Sequence, residues 1–134
     1  MQKLIYKKGL ILKVSSWEND GDHSRTIEYT PDTIEEGKAL KRMCEDLFRS
    51  SNNDEGGIAN DYGVSLESYE EMINEFFEKD EYFKGCPEED RMEELEEIID
   101  NLLGYSEEGY SCRLCESATL FEVKEDVYLD MVEL

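Results

Sequence analysis

The spacing of apolar residues changes period twice along this chain, and that pattern leaves few folds open. Leu10-Ile11-Leu12-Lys13-Val14 and Thr26-Ile27-Glu28-Tyr29-Thr30 read as strands, with Leu4-Ile5-Tyr6 ahead of them. Three stretches then repeat at helical spacing. The first is Ile34, Leu40, Met43, Cys44, Leu47 and Phe48, running to about Arg49; the second is Leu66, Tyr69, Met72, Ile73, Phe76 and Phe77. The third, Met92, Leu95, Ile98, Ile99, Leu102 and Leu103, is the clearest stripe. Strand character returns in Tyr110 to Ser117, Leu120 to Val123 and Val127 to Leu134. The order ββ-ααα-βββ predicts an α+β fold: an antiparallel sheet built from N-terminal and C-terminal strands, with about three helices in the middle packed on it. At 134 residues the chain fits a single domain, 1–134.

Local punctuation supports these elements. Gly9 bends one long strand or turns two short ones. Pro31 ends the strand before it, and the first helix is capped either by Thr33 with Glu36 as a capping box or by Thr30 with Pro31 at the first position. Gly37 costs that helix about 1 kcal/mol relative to Ala. Residues 50–63 form a loop, Ser65 caps the second helix, and Pro87 with Glu88-Glu89-Asp90 opens the third. Gly104 is placed to close that helix in a left-handed conformation. Val127, Leu129 and Met131 alternate with Tyr128, Asp130 and Val132 and define one apolar face.

Charge narrows the function. The 35 acidic residues outnumber 14 basic ones, for a net −21, and a field of that sign repels nucleic acid and anionic membranes. The acid is either solubilising cover or an imitation of a nucleic-acid backbone, and Glu93, Glu94, Glu96, Glu97 and Asp100 form the best face for the latter. No stretch approaches 18 consecutive apolar residues, and Met1 to Lys8 lacks a signal-peptide core, so a reducing cytosol is expected. The four cysteines are then expected as thiols. Cys112-Arg113-Leu114-Cys115 is a single CxxC without a second half-site, so zinc is not expected, and its strand-like context differs from a thioredoxin turn.

The polar chemistry concentrates in Ser16-Trp17-Glu18-Asn19-Asp20-Gly21-Asp22-His23-Ser24-Arg25-Thr26, which contains the only Trp and the only His. Asn-Asp-Gly-Asp is turn chemistry between two strands. His23, Ser24, Arg25 and Thr26 supply an imidazole, two hydroxyls and a guanidinium, a donor set suited to phosphate; the plainer reading is a polar hairpin loop whose Arg pairs with nearby carboxylates. Catalysis has little to work with. One His excludes two-His metal motifs, and the chain has no P-loop, GxSxG, GxGxxG or HExxH, so a binder without cofactor or metal is expected.

A strand running into Ser16-Trp17-Glu18-Asn19-Asp20-Gly21-Asp22, followed by Arg25-Thr26 and an acidic helix, resembles the phage-encoded Thoeris anti-defence family, small proteins that sponge immune signalling nucleotides. The resemblance covers about a tenth of the chain. It implies a non-enzymatic protein of the infected bacterial cytosol that forms homo-oligomers built from dimers. It also implies pockets for cyclic ADP-ribose isomers, with separate sites for cyclic oligonucleotides in some members. On this chain it assigns Gly21, Arg25 and Thr26 to phosphate. Beyond the motif, Asn101, Arg113, Tyr82 and Phe83 are candidates for ribose, base and second-phosphate contacts. Arg91, among helical carboxylates, reads as a salt-bridge residue, and Arg49 as a helix-end cation. The alternative is an acidic decoy for the basic groove of a nuclease or CRISPR effector.

Overall fold

Strand β2 (Gly9–Glu18) runs through the centre of the domain because alternate side chains along it, Leu12, Val14 and Ser16, are buried on one face. In the computed structural model, which describes residues 1–18, 24–49, 57–60, 63–64, 69–104 and 113–132, β2 pairs antiparallel on both sides. Its neighbours are β3 (Ser24–Tyr29) and β6 (Arg113–Val123), giving the sheet order β3-β2-β6. N-terminal and C-terminal strands thus share an antiparallel sheet, as the sequence predicts.

The termini pair a second time. Strand β1 (Gln2–Tyr6) lies antiparallel to β7 (Val127–Asp130) in a separate two-stranded ribbon. Gly9, at φ 146°, makes the break between β1 and β2 in a conformation that side-chain-bearing residues rarely adopt. The apolar face expected for the last strand exists but is not covered. Val127, Leu129 and Met131 are each more than two-fifths exposed, because no helix among the described residues lies over the ribbon. A second difference concerns β6, expected as two strands and found as one. Ser117-Ala118-Thr119 continue the ladder, and a bulge at Glu116 shifts the register so that Ser15 pairs with Ser117 but Ser16 with Cys115. The pair β4 (Ala59–Asn60) and β5 (Gly63–Val64) falls inside the stretch expected as a loop.

Three α-helices supply the other layer. Helix α1 (Ile34–Asp46) begins at Thr33, whose Oγ1 accepts the Glu36 N–H at 3.1 Å, while the Glu36 carboxylate accepts the Asp32 N–H at 3.1 Å. Gly37 is explained by packing rather than propensity: a Cβ there would stand 2.8 Å from Leu120 Cδ1 and 3.1 Å from Pro31 Cγ, so the glycine brings α1 close to β6. Helix α2 (Glu70–Lys79) is followed by a short 3-10 turn, Phe83–Gly85. A second such turn, Glu88–Asp90, leads directly into α3 (Arg91–Leu102). Gly104, at φ 85°, closes α3 and donates its N–H to Ile99 O at 2.9 Å, the left-handed ending the sequence predicts. Ser65 lies outside the described residues.

The core forms between the helices and one face of the three-stranded sheet. Met43, Phe48, Ile73, Phe77, Leu95 and Leu103 are fully buried with Leu12 and Val14, each burial contributing about 1.5–3 kcal/mol. Two arginines tie the helices at their rims. Arg42 of α1 grips Asp80 with Nε at 2.8 Å and Nη2 at 3.1 Å. Arg91 of α3 is a salt-bridge residue, as the sequence predicts, and its partners lie on α2, with Nη1 3.1 Å from Asn74 Oδ1 and 3.4 Å from Glu78 Oε1. No helix among the described residues is long and apolar enough to cross a membrane.

Candidate functional site

The hairpin stretch continues the alternation of β2. After Leu12 and Val14, the next position on the helix-covered face is Ser16, and a serine there is unusual. It is fully buried, and its hydroxyl has no hydrogen-bond partner among the described residues. A buried hydroxyl left unpaired costs about 1–3 kcal/mol, so a serine is an uncommon choice at such a position.

Two of the predicted arginines flank this serine in register. Arg25 of β3 pairs with Ser16, and Arg113 of β6 pairs with Glu18, two residues further along the same strand. Two strand spacings separate the Arg25 and Arg113 backbones, about 10 Å across the sheet. Neither residue adjoins the other in sequence; the pairing of chain ends brings them to one end of one sheet. Ser24, the register partner of Trp17, begins β3. Gly21 and His23 lie outside the described residues. Thr26 occupies the alternate register, and its Oγ1 lies 3.2 Å from Ser15 Oγ in an exposed pair. The alternation of a strand separates Thr26 from the Ser16 face.

Tyr82, Phe83 and Asn101 do come together, in a different place. They line a pocket of about 90 Å³ with Tyr29, Glu36, Glu94 and Glu97, between α1, α3 and the turn after α2. Tyr29 and Arg25 are four residues apart on β3, about 13 Å, so this pocket sits well away from the arginine positions. Phe83 is 4% exposed and packs edge-on against Phe77 at 5.4 Å and Tyr82 at 5.1 Å, which makes it a wall rather than a stacking platform. Tyr82 is 45% exposed and presents a usable ring.

The electrostatics of this pocket are anionic. Desolvation, then Glu97, Asp90, Glu36 and Glu93, push the Glu94 carboxyl above the usual range. Burial, then the hydrogen bond to Glu36 and nearby carboxylates, push the Tyr29 phenol up to about 12; its hydroxyl donates to Glu36 Oε1 at 3.0 Å. Three carboxylates around one small pocket repel phosphate, while the hydroxyl, amide and ring groups suit a ribose or a cationic group. Among the described residues no group of His, Cys, Asp and Glu side chains is arranged to hold a metal ion.

Sequence reading gave Ser16, Glu36 and Glu94 other roles and did not single out Arg42. Ser16 was recoverable: counting in twos from Leu12 and Val14 lands a hydroxyl on a core position. Glu36 and Glu94 meet only through tertiary packing, and Arg42 is distinguished from other surface cations only by where Asp80 ends up.

Fold and geometry together define an α+β protein with an acidic, aromatic pocket at one end of β3 and paired arginine positions around a buried hydroxyl at the other. No protein-family model, no curated protein and no solved structure matches the chain.

Proposed function

We propose that the protein binds and sequesters a small cyclic nucleotide signal, a cyclic ADP-ribose isomer or a cyclic oligonucleotide, without cleaving it. On this reading it is a phage counter-defence protein of the bacterial cytosol. The observation that carries the proposal is the register of Arg25 and Arg113 on either side of the strand that buries the Ser16 hydroxyl. A phosphate-bearing ligand is satisfied by two guanidiniums and a hydroxyl donor, and bidentate guanidinium contacts are the strongest of that kind. The resemblance of the Ser16 to Thr26 stretch to the Thoeris anti-defence family supports the same assignment. The distant −21 field does not forbid it, because screening at physiological salt acts over about 8 Å.

The reading includes homo-oligomers. Leu4, Ile5, Val127, Tyr128 and Leu129 of the uncovered ribbon are all more than two-fifths exposed, an apolar surface of the kind that associates. Lys3, Lys7, Lys8 and Lys124 lie in or beside it against Glu125, Asp126 and Asp130, close to charge balance, so two strongly acidic chains approach each other there with less repulsion.

The test is uptake and release. Protein incubated with cyclic ADP-ribose isomers, then heat-denatured, returns intact ligand; recovery of a cleaved product would make it an enzyme. Calorimetry with Arg25→Ala and Arg113→Ala is expected to show affinity reduced at least tenfold, about 1.4 kcal/mol. Unchanged affinity in both variants refutes the site.

A second reading rests on the exposed carboxylates of Glu71, Glu75 and Glu78 on α2 and Glu93, Glu96 and Asp100 on α3. This face suits a basic groove, such as that of a nuclease. Absence of any nucleotide uptake, together with salt-sensitive binding to a basic protein that is lost on charge reversal at Glu93 and Glu96, selects it.

A further inference from the structure

Cysteines 44 and 115 are distant in sequence and adjacent in the fold. Cys44 lies on the buried face of α1, and Cys115 enters β6 at the bulge, where its N–H donates to Phe48 O at 3.0 Å just past the end of α1. That backbone bond fixes the two elements side by side, one helical turn from Cys44. The Cys44 and Cys115 side chains lie within interaction range, with a thiol–thiol hydrogen bond the largest influence on the acidity of each. Cys44 is fully buried and Cys115 partly so, and both are free thiols.

We propose that Cys44 and Cys115 are a redox modification site: peroxide converts the pair to an intrachain disulfide joining α1 to β6, and a dithiol reverses it. The two sulfurs have different roles. The hydrogen bond from Cys44 holds Cys115 below the usual thiol range, against desolvation and the nearby Glu45 and Glu116, so Cys115 is the sulfur that presents a thiolate. The same bond, with burial, holds Cys44 well above that range and protonated.

The Cys115 thiolate attacks one peroxide oxygen, the O–O bond breaks, and the leaving hydroxide takes a proton to become water. The Cys44 sulfur then attacks the resulting sulfenic sulfur. The S–O bond breaks, and a second water leaves with the Cys44 proton. Two thiols are oxidised and one peroxide is reduced to two waters. The Cys115 N–H bond to Phe48 O already holds the two elements side by side, so a sulfur–sulfur bond of about 2.05 Å would join neighbouring elements. Cys86 is an internal comparison: its thiol points to Pro87 O at 3.7 Å, with no second sulfur beside it among the described residues.

The experiment treats the full reduced chain with one equivalent of hydrogen peroxide and follows it by intact mass and non-reducing peptide mapping. The expected result is a loss of about 2 Da and a single cross-link between the Cys44 and Cys115 peptides, in wild type and in Cys86→Ser and Cys112→Ser alike. Cys44→Ala, which keeps apolar packing, is expected to gain oxygen at Cys115 instead. Closing a loop of roughly 70 residues is expected to raise the melting temperature by about 10 °C, reversed by dithiothreitol. A Cys112–Cys115 link, a disulfide that persists in Cys44→Ala, or oxygen addition at Cys115 in the wild-type chain without a cross-link overturns the proposal. None of these readouts depends on a nucleotide.

Discussion

Asp80 offers the sharpest test of how the helical layer is held. Its side chain is 5% exposed, and its carboxylate accepts four hydrogen bonds: Arg42 Nε at 2.8 Å, Arg42 Nη2 at 3.1 Å, Tyr82 N at 2.9 Å and Phe83 N at 3.3 Å. These bonds close the turn after α2, seat Phe83 in the core and place Tyr82 in the acidic pocket. Arg42 is 42% exposed, so it rehydrates when Asp80 is lost and its share falls to about 1 kcal/mol. The Phe83 N–H is buried and stays unpaired at about 2 kcal/mol, while the Tyr82 N–H is partly recovered by water. Asp80→Ala is therefore expected to cost about 3 kcal/mol, a fall in melting temperature of about 10 °C, and Asp80→Asn about half as much because one carbonyl oxygen remains. Burial raises the Asp80 pKa, but the Arg42 hydrogen bonds and the two backbone donors outweigh it, and the folded value lies below the ordinary 3.8. A depressed carboxylate contributes its stability above the unfolded pKa and loses it as pH falls through the folded one. The gap between wild type and Asp80→Asn in thermal unfolding should thus be full at pH 7 and shrink below about pH 4. A variant within 0.5 kcal/mol of wild type at pH 7, or a gap that widens in acid, refutes the assignment.

Two further outcomes follow from local geometry. A Cβ at Gly57 would stand 2.3 Å from Leu47 O and 2.8 Å from Arg49 O, both backbone atoms that cannot rotate away, so Gly57→Ala is expected to lower stability by about 3 kcal/mol or more in chemical denaturation. A near-neutral result would mean the chain after α1 takes another path. Leu129→Lys, at a position 49% exposed on the ribbon, is expected to reduce sedimenting mass with a melting-temperature change of no more than a few degrees; an unchanged mass would move any oligomer interface off the ribbon.

Periodicity makes the local half of this fold legible. The stripe from Met92 to Leu103 is α3 because every third or fourth residue meets the same core, and Thr33 and Gly104 mark their helix ends by chemistry confined to one turn. What periodicity cannot carry is whether an apolar face has a neighbour. Val127, Leu129 and Met131 alternate as well as Leu12 and Val14 do, yet only the latter lie beneath helices. Gly37 illustrates the converse: its sequence signature is a helix penalty, and its reason is the position of Leu120 on a strand beyond the whole helical layer. The pairs that tie layers together, Arg42 with Asp80 and Cys44 with Cys115, join residues whose neighbours in sequence give no hint of them.

The arginines show how far this matters for the site. Read in sequence, they are a scarce set of cations in an acidic chain, any of which could meet a phosphate. Arg42 is committed to Asp80 and Arg91 to Asn74 and Glu78, and Arg49 has a partner of its own. Moving Arg42 or Arg91 to a ligand would strip Asp80 or Asn74 of its donor, at about 1–3 kcal/mol each. Strand pairing sets the backbones of Arg25 and Arg113 in register on either side of β2, where the proposed phosphate contact draws on them. On the proposed reading capture should depend on both arginines together, and the double variant should lose no more than the more damaging single one.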